Sequence, residues 1–269
     1  MTVTYEVRDR IAHVTIDNGK ANALSHAVID GLNDALSQAE DAGEAEVGAL
    51  LISGKPGMLS GGFDLEVMRS GAAAAGKLVT DGGELFSRMF GGPVPIVVAC
   101  TGHAIAAGAL LMMGADVRVG TRGEFRIGLI ETQLGMVLPR WAVELSQERL
   151  SRRHFQHATV GAKIYDPDGA ADAGFLDSVV PPDALAGVAL AEAEHRPVVA
   201  EQRGGEPADD HLQRRRQHDH IAPQGSYSDS VASGSGDVFW PIAPRATRMT
   251  VPGAISRSAS VSVSFVIRA

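Results

Sequence analysis

Two short glycine-bearing turns constrain the fold of this chain more than any other feature. The first spans residues 59–65 (LSGGFDL) and the second spans residues 102–108 (GHAIAAG). Each turn follows an apolar run typical of a buried strand, 47–53 and 94–100, and each precedes a helix-like segment. The first N–H groups of a helix have no intrahelical partner. We therefore predict that the two turns direct free backbone donors toward one oxygen atom, where they stabilise an oxyanion.

Strand-like and helix-like segments alternate along the first half of the chain. The alternation of apolar and polar residues over 2–8 and 11–16 predicts an amphipathic hairpin. Ser25 is predicted to cap a helix that ends at Gly43. Further predicted elements are helices after Asp64, before Pro93, over 107–113 and from Pro139, and a strand over 116–119. Strands that alternate with helices in this way predict an α/β fold with a mostly parallel sheet.

Composition narrows the class of protein. A chain of 269 residues with 45% hydrophobic content can bury a sizeable core. Its net charge of −8 argues against nonspecific nucleic-acid binding by the whole chain. No run approaches about 18 apolar residues, and the N-terminus lacks the apolar core of a signal peptide, so we predict a cytoplasmic protein with no membrane partner. The single cysteine, Cys100, excludes an internal disulfide and is expected to be a small buried hydrophobe.

Five short motifs occur in a fixed order over the first 131 residues. They are KANAL at 20–24, SGGFDL at 60–65, GHAIAAG at 102–108, GADVR at 114–118 and GLIE at 128–131. In order and approximate spacing this set resembles the crotonase (enoyl-CoA hydratase/isomerase) family. The resemblance covers roughly residues 1–194. It implies an α/β fold built as a spiral of ββα units, followed by a C-terminal helical region that is altered or disordered in this chain.

The resemblance implies three catalytic positions in an enzyme that processes acyl-CoA. The backbone N–H groups of Phe63 and Ala107 would form an oxyanion hole for a thioester carbonyl. The carboxyl of Glu131 would be the general acid/base, and its apolar neighbours Leu129 and Ile130 should raise its pKa. Many relatives carry a small residue in place of Phe63, so its ring must either turn away from the oxyanion or help to wall the acyl pocket.

The resemblance also implies contacts to the substrate or to its CoA moiety. These positions are Lys20, Ala21, Ala23, Gly61, Gly62, Asp64, Leu65, Gly108, Leu110 and Leu134. Asp64 is more simply explained as the cap of the following helix. No cofactor is expected beyond the CoA of the substrate, and no metal site is predicted. The family assembles as a homotrimer or a dimer of trimers, which is the expected state here if the C-terminal region permits it.

One position departs from the family pattern and bears on the reaction. Hydratases of the family hold water between two glutamates, of which the first lies three residues after the second oxyanion donor. Leu110 occupies that place here, so we favour an isomerase, in which one base removes a proton from C2 and returns it at C4. Two alternatives stay open: an enoyl-CoA hydratase of fatty-acid β-oxidation, and a non-catalytic acyl-CoA binder. Glu144 is either a substitute second acid or, as we expect, a surface residue of its helix.

The character of the chain changes at about residue 195. Residues 195–269 contain no lysine, include serine-rich stretches at 226–235 and 256–264, and lack helical periodicity. We therefore divide the chain into a catalytic core, 1–194, and a divergent tail, 195–269. The tail is either translated from a shifted reading frame or is a genuine divergent or disordered extension. Its Arg214-Arg-Arg216 run raises nucleic-acid binding as a third class, which the acidic chain disfavours.

Overall fold

Two β-sheets and the helices between them organise the chain. The computed structural model describes residues 2–19 and 21–203. The strands are β1 (Val3–Arg8), β2 (Ile11–Ile16), β3 (Ala49–Ser53), β4 (Gly57–Ser60), β5 (Ile96–Cys100), β6 (Gly102–Ile105), β7 (Val117–Thr121), β8 (Ile127–Gly128) and β9 (Ser178–Val180). The helices are α1 (His26–Ala42), α2 (Leu65–Arg69), α3 (Ala72–Gly91), α4 (Ala107–Met113), α5 (Arg140–Arg149), α6 (Arg152–Thr159), α7 (Pro167–Ala173) and α8 (Leu185–Arg203). A 3-10 helix, η1, covers Glu131–Leu134.

Most strand pairs in the two sheets are parallel, and the strands come from a unit that repeats along the chain. The larger sheet has the order β1-β2-β3-β5-β7-β9, in which only β1 and β2 pair antiparallel. The smaller sheet has the order β4-β6-β8 and is parallel throughout. Strands β3, β5 and β7 of the larger sheet are each followed by a strand of the smaller sheet and then by a helix. This arrangement confirms the predicted α/β fold of ββα units.

Both faces of the larger sheet are covered. Residues such as Leu50 and Val98 belong to the main core, which includes side chains of α1, α3 and α4. Their neighbours Leu51 and Val97 face the other way and pack with Leu185 and other residues of α8. Strands that are buried on both faces are apolar along their whole length. The sequence therefore shows them as continuous apolar runs rather than as alternating ones.

The predicted element ends are close to the observed ones. Ser25 caps α1 by accepting a 3.4 Å hydrogen bond from the Val28 N–H, and the helix stops at Gly43, whose φ is +74°. The strand predicted over 47–53 begins two residues later, because Val47 is still part of the turn and donates to the Gly43 carbonyl. The strand predicted over 116–119 is displaced in the same direction, to residues 117–121.

Two further predictions can be placed on the structure. Cys100 is 1% exposed, and burial raises the pKa of its thiol to about 12, so it is the buried hydrophobe expected from the sequence. Helix α8 runs across the predicted boundary at residue 195. The remainder of the predicted tail, 204–269, lies outside the described residues. Among the helices of residues 2–19 and 21–203, none has the length and apolar character needed to cross a membrane.

Candidate active site

The first glycine turn leaves the backbone donor of Phe63 unused, between neighbours whose N–H groups are engaged. Three of its N–H groups are engaged: Gly61 donates to the Ala21 carbonyl (2.8 Å), Gly62 to Ser60 Oγ (3.1 Å) and Asp64 to the Leu24 carbonyl (3.1 Å). The N–H of Phe63 has no acceptor among the described residues. Leu24 forms a parallel bridge with Phe63: its N–H donates to the Gly62 carbonyl, and its carbonyl accepts from the Asp64 N–H. The N–H of Phe63 itself therefore points away from Leu24.

A buried asparagine holds this turn in place. Asn22 is fully buried, has a φ of +49°, and uses both sides of its amide. Its Nδ2 donates to the carbonyls of Ile16 (2.9 Å) and Leu59 (2.8 Å), while its Oδ1 accepts from the Asn18 N–H (2.7 Å). Sequence analysis placed Asn22 in a motif but gave it no role. The tolerance of asparagine for left-handed backbone was the available signal.

The second turn presents the start of a buried helix. Ala106 precedes α4 with φ +53° and ψ −125°, and its N–H donates to the Gly128 carbonyl at 2.9 Å. The next two N–H groups, of Ala107 and Gly108, are the first of the helix and have no intrahelical acceptor. Every residue of α4 is buried. The helix therefore offers its free donors, and its positive dipole end, in surroundings poor in water.

The two turns are packed backbone against backbone. A methyl group built on Gly62 would lie 3.1 Å from the Ile105 carbonyl oxygen and 3.4 Å from the Ala107 nitrogen. A methyl group built on Gly108 would overlap the Ser60 carbonyl oxygen and lie 2.9 Å from its carbon. Only glycine permits either approach. The nitrogen of Phe63 follows Gly62 directly, so the structure brings the two predicted donors, Phe63 and Ala107, into neighbouring positions.

Glu131 lies beside the second turn in a dry environment. Glu131 is 8% exposed, and its Oε2 has no hydrogen-bond partner among the described residues. Burial raises the pKa of the carboxyl to about 6, against the opposing effect of backbone hydrogen bonds from Glu131 and Ile130. Glu131 follows Gly128 by three residues, a distance of at most about 11 Å. Because the Ala106 N–H donates to the Gly128 carbonyl, the segment that carries Glu131 starts next to the second turn.

Two polar side chains fasten the turn that carries Glu131. Thr132 Oγ1 donates to the Val160 carbonyl and Gln133 Nε2 donates to the Ala162 carbonyl, both at 3.1 Å. The 3-10 helix then ends at Gly135, whose φ is +71°. Sequence analysis missed both residues, because their partners lie 28 and 29 residues away.

The ring of Phe63 lies against helix α3. It stacks on Phe86 with 6.3 Å between ring centroids, and Phe86 in turn meets Trp141 edge to face at 5.7 Å. A methyl group built on Gly82 would lie only 2.5 Å from the Phe63 ring. Phe63 as a whole residue is partly buried.

The remaining residues predicted to contact the substrate differ in their burial and in their contacts. Asp64 caps α2 as expected, since its Oδ1 accepts from the N–H groups of Glu66 (2.8 Å) and Val67 (3.4 Å). Leu65 and Leu134 are exposed, at 59% and 57%. Leu110, at 2% exposure, is part of the core. The carbonyl of Ala21 accepts from Gly61 in the first turn, whereas the carbonyl of Ala23 accepts from Asn18 and Ser25 within its own loop. Lys20 lies outside the described residues.

The expectation that Glu144 is a surface residue is wrong. Its side chain is 19% exposed, and its Oε1 accepts a 2.6 Å hydrogen bond from Arg140 Nε. Its Oε2 is buried and has no hydrogen-bond partner among the described residues. Glu144 stands one turn along α5 from Arg140, between buried Trp141 and Leu145, and the packing of α5 encloses its carboxyl. Periodicity on a short helix with many charges did not reveal this.

The described ranges hold no group of three or more His, Cys, Asp or Glu side chains placed to bind a metal ion. His103, the histidine nearest the second turn, accepts a hydrogen bond from the Arg126 N–H at Nδ1 (2.9 Å) and meets Phe125 edge to face. These contacts give it a packing role.

The unusual backbone of Ala106 leads to a first prediction. A residue with a side chain at this φ and ψ carries a strain of roughly 1–3 kcal/mol. Replacing Ala106 by glycine should therefore raise the free energy of unfolding by about 1 kcal/mol, measured by urea denaturation. Ala109, inside the same helix, is the matched control: glycine there should lower stability by about 1 kcal/mol or more. A loss of stability in both variants would contradict the strain argument.

Comparison with known proteins gives a consistent result. A sequence profile described as enoyl-CoA hydratase/isomerase matches residues 6–200. The human protein named enoyl-CoA delta isomerase 1, mitochondrial, is 31% identical over 185 residues, which cover 67% of this chain and 60% of the human protein. The chain thus spans less than two thirds of the length of that relative.

Solved structures agree over a larger share of each chain. An enoyl-CoA hydratase/isomerase family protein from Pseudomonas syringae is 42% identical with a TM-score of 0.69, and the match covers 81% of this chain and 97% of that one. A probable enoyl-CoA hydratase from Mycobacterium tuberculosis is 34% identical with a TM-score of 0.75, covering 86% of this chain and 95% of that one.

Proposed function

Because this chain belongs to the enoyl-CoA hydratase/isomerase family, we propose that it is an acyl-CoA-processing enzyme that moves a double bond along the acyl chain. One observation carries the proposal: the two glycine turns bring together the N–H groups of Phe63 and Ala107, which have no acceptor among the described residues, and the segment that carries the buried carboxyl of Glu131 starts at the second turn. The substrate class is a 3-enoyl-CoA thioester, and the product is the conjugated 2-enoyl-CoA. The CoA of the substrate is the only cofactor moiety that we propose.

The two N–H groups are suited to the charge that this reaction creates. Removal of a proton from C2 of the thioester moves negative charge onto its carbonyl oxygen. Preorganised donors that bind this oxygen stabilise the enolate more than the ground state, which lowers the barrier. The positive end of α4, at Ala107, adds to this effect.

Glu131 would carry the proton. As a carboxylate it takes the C2 proton and becomes a neutral acid, while the electron pair of the C–H bond forms the enolate. It then returns the proton at C4, the double bond shifts to C2–C3, and the carboxylate is restored. A pKa of about 6 suits both steps near neutral pH, because the group is ionised at rest and yet gains a proton readily.

Hydration would require a second group to hold and activate water. Helix α4 supplies none, since Leu110 and its neighbours Leu111, Met112 and Met113 are buried and apolar. The human isomerase supports the same choice by its name, and the Mycobacterium tuberculosis relative is described as a probable hydratase in one structure and as an isomerase in another. Hydration is the second candidate, because the buried, unpartnered oxygen of Glu144 offers one further carboxyl.

A direct comparison of substrates tests the proposal. We expect purified protein to convert 3-enoyl-CoA to 2-enoyl-CoA at least about tenfold faster than it hydrates 2-enoyl-CoA, with products separated by chromatography of the CoA esters. The Glu144→Gln variant is the control, and it should leave isomerisation intact.

Other outcomes would identify the alternatives. Faster hydration than isomerisation, lost on replacing Glu144, would establish a hydratase that uses Glu144 as its second acid. Tight binding of CoA esters without turnover of either substrate would identify a non-catalytic binder. Salt-sensitive retention on nucleic acid would favour the third class considered from the sequence.

A further inference from the structure

Two adjacent glycines on helix α3 each face an aromatic ring. A methyl group built on Gly82 would lie 2.5 Å from both Cε1 and Cζ of Phe63. A methyl group built on Gly83 would lie 2.6 Å from Nε1 of Trp141. In proteins, a Cβ atom essentially never lies within 3.0 Å of a heavy atom to which it is not linked through the chain. Each ring therefore occupies the space that a side chain on α3 would need.

The Phe63 ring in this notch also contacts a second aromatic ring. Phe86 stacks on it with an interplanar angle of 18°, and Phe86 is itself fully buried. Phe63 as a residue is only partly buried, unlike Phe86. Rotation about χ1 offers a phenylalanine side chain three staggered positions. The observed position places the ring over α3 against Gly82, and either of the other two would take it away from that glycine.

We propose that Gly82 is a positioning residue: the notch left by its missing side chain holds the Phe63 ring clear of the space in which a thioester reaches the Phe63 N–H. This inference rests on the proposed function. Its physical basis is the double role of Phe63, which supplies a backbone donor and also carries a bulky ring on the same residue. A small residue at position 63 would need no such notch.

The proposal predicts a specific rescue. Gly82→Ala fills the notch, and buried Phe86 prevents the ring from moving deeper, so the ring swings toward the substrate. The affinity for acyl-CoA and kcat/KM should then fall by at least about tenfold, with a rise in KM. Phe63→Ala removes the ring but keeps the N–H, so the double variant should return to within about threefold of Phe63→Ala alone. A merely structural defect would lower the active fraction, and thus kcat, without raising KM.

Two matched controls lie on the same helix. Gly83→Ala introduces a similar clash, but with Trp141, so Phe63→Ala should not rescue it. Gly91→Ala adds a methyl group with nothing within 4 Å, so it should behave as the unaltered protein. All variants are compared by kcat and KM with 3-enoyl-CoA, by the Kd for a saturated acyl-CoA, and by thermal unfolding.

Two results would overturn the inference. One is a Gly82→Ala protein that matches Gly91→Ala, and the other is a defect that Phe63→Ala fails to relieve. If the unaltered protein binds acyl-CoA without turning it over, the proposed isomerase activity fails, and the same rescue pattern in the Kd values decides the role of Gly82. If the unaltered protein binds no acyl-CoA, both proposals are wrong.

Discussion

Replacing Glu131 by glutamine is expected to lower kcat for isomerisation by about 10²- to 10⁴-fold and to leave KM nearly unchanged. Glutamine has almost the same shape and can occupy the same buried position, but it cannot accept and return a proton. Steady-state kinetics with 3-enoyl-CoA measures the effect. Retention of most of the activity in this variant would show that another group transfers the proton, and Glu144 would then be the next residue to replace.

The pH dependence of the reaction follows from the raised pKa of Glu131. The carboxylate is the active form of a base, so kcat/KM should rise with pH through an inflection at about 6 and level off above it. The residual activity of the glutamine variant should lack this inflection. A profile that falls as pH increases from 5 to 7 would contradict the assignment of Glu131 as the base.

The burial of Glu131 also lowers the free energy of unfolding at neutral pH. Because the folded state raises the pKa of Glu131 from 4.5 to about 6, it binds this proton more tightly than the unfolded chain does. Unfolding should therefore become easier as pH rises from about 4.5 to about 6, and above that range the buried carboxylate costs about 2 kcal/mol. The glutamine variant should be more stable than the unaltered protein at pH 8 by up to that amount, and no more stable at pH 4.

Denaturant unfolding at the two pH values provides the measurement. Exposed Glu148, on α5, is the control for replacing a carboxyl that is not buried, and Glu148→Gln should change the stability little at either pH value. Equal stability of the Glu131 variant and the unaltered protein at pH 8 would mean that the carboxyl is better solvated than its burial indicates.

The sequence predicted those features whose causes are local. The caps at Ser25 and Asp64 depend on a side chain and the backbone two or three residues away. Strands β3 and β5 of the larger sheet are apolar runs because both of their faces are covered. The two turns could be recognised because glycine is needed where backbones meet. In each case the residue and the reason for its presence lie close together in the chain.

The features that sequence analysis missed depend on distant partners. Asn22 bonds to Leu59 across 37 residues, and Thr132 bonds to Val160 across 28. The partial burial of Glu144 depends on how α5 packs, and the notch for Phe63 depends on which turn of α3 passes beneath the ring. No periodicity in one segment contains this information. These contacts nevertheless fix the positions of the groups to which the chemistry is assigned.

Adding a methyl group at Gly108 is expected to lower kcat by about 10²- to 10³-fold, the effect of losing one oxyanion donor. The new Cβ would overlap the Ser60 carbonyl oxygen and lie 2.9 Å from the carbonyl carbon. Both are backbone atoms of β4 and cannot rotate away. Helix α4 must then withdraw from the first turn, which separates the Ala107 N–H from the Phe63 N–H. Overpacking should also lower the free energy of unfolding by about 1–3 kcal/mol, so the assay is run at a temperature where circular dichroism shows folded protein.

Two further glycine variants separate the loss of the donor from general damage. At Gly62 the added methyl group meets the Ile105 oxygen at 3.1 Å and the Ala107 nitrogen at 3.4 Å, a milder clash at the same contact, so Gly62→Ala should lose less activity than Gly108→Ala. Gly57 shares the left-handed backbone of Gly62, with φ values of +82° and +102°, but a methyl group there meets nothing within 4 Å. Gly57→Ala should therefore lower stability while the folded protein keeps its kcat. If folded Gly108→Ala turned over substrate as fast as Gly57→Ala, the two turns would not act on one oxygen, because the movement forced on α4 would have left the reaction untouched.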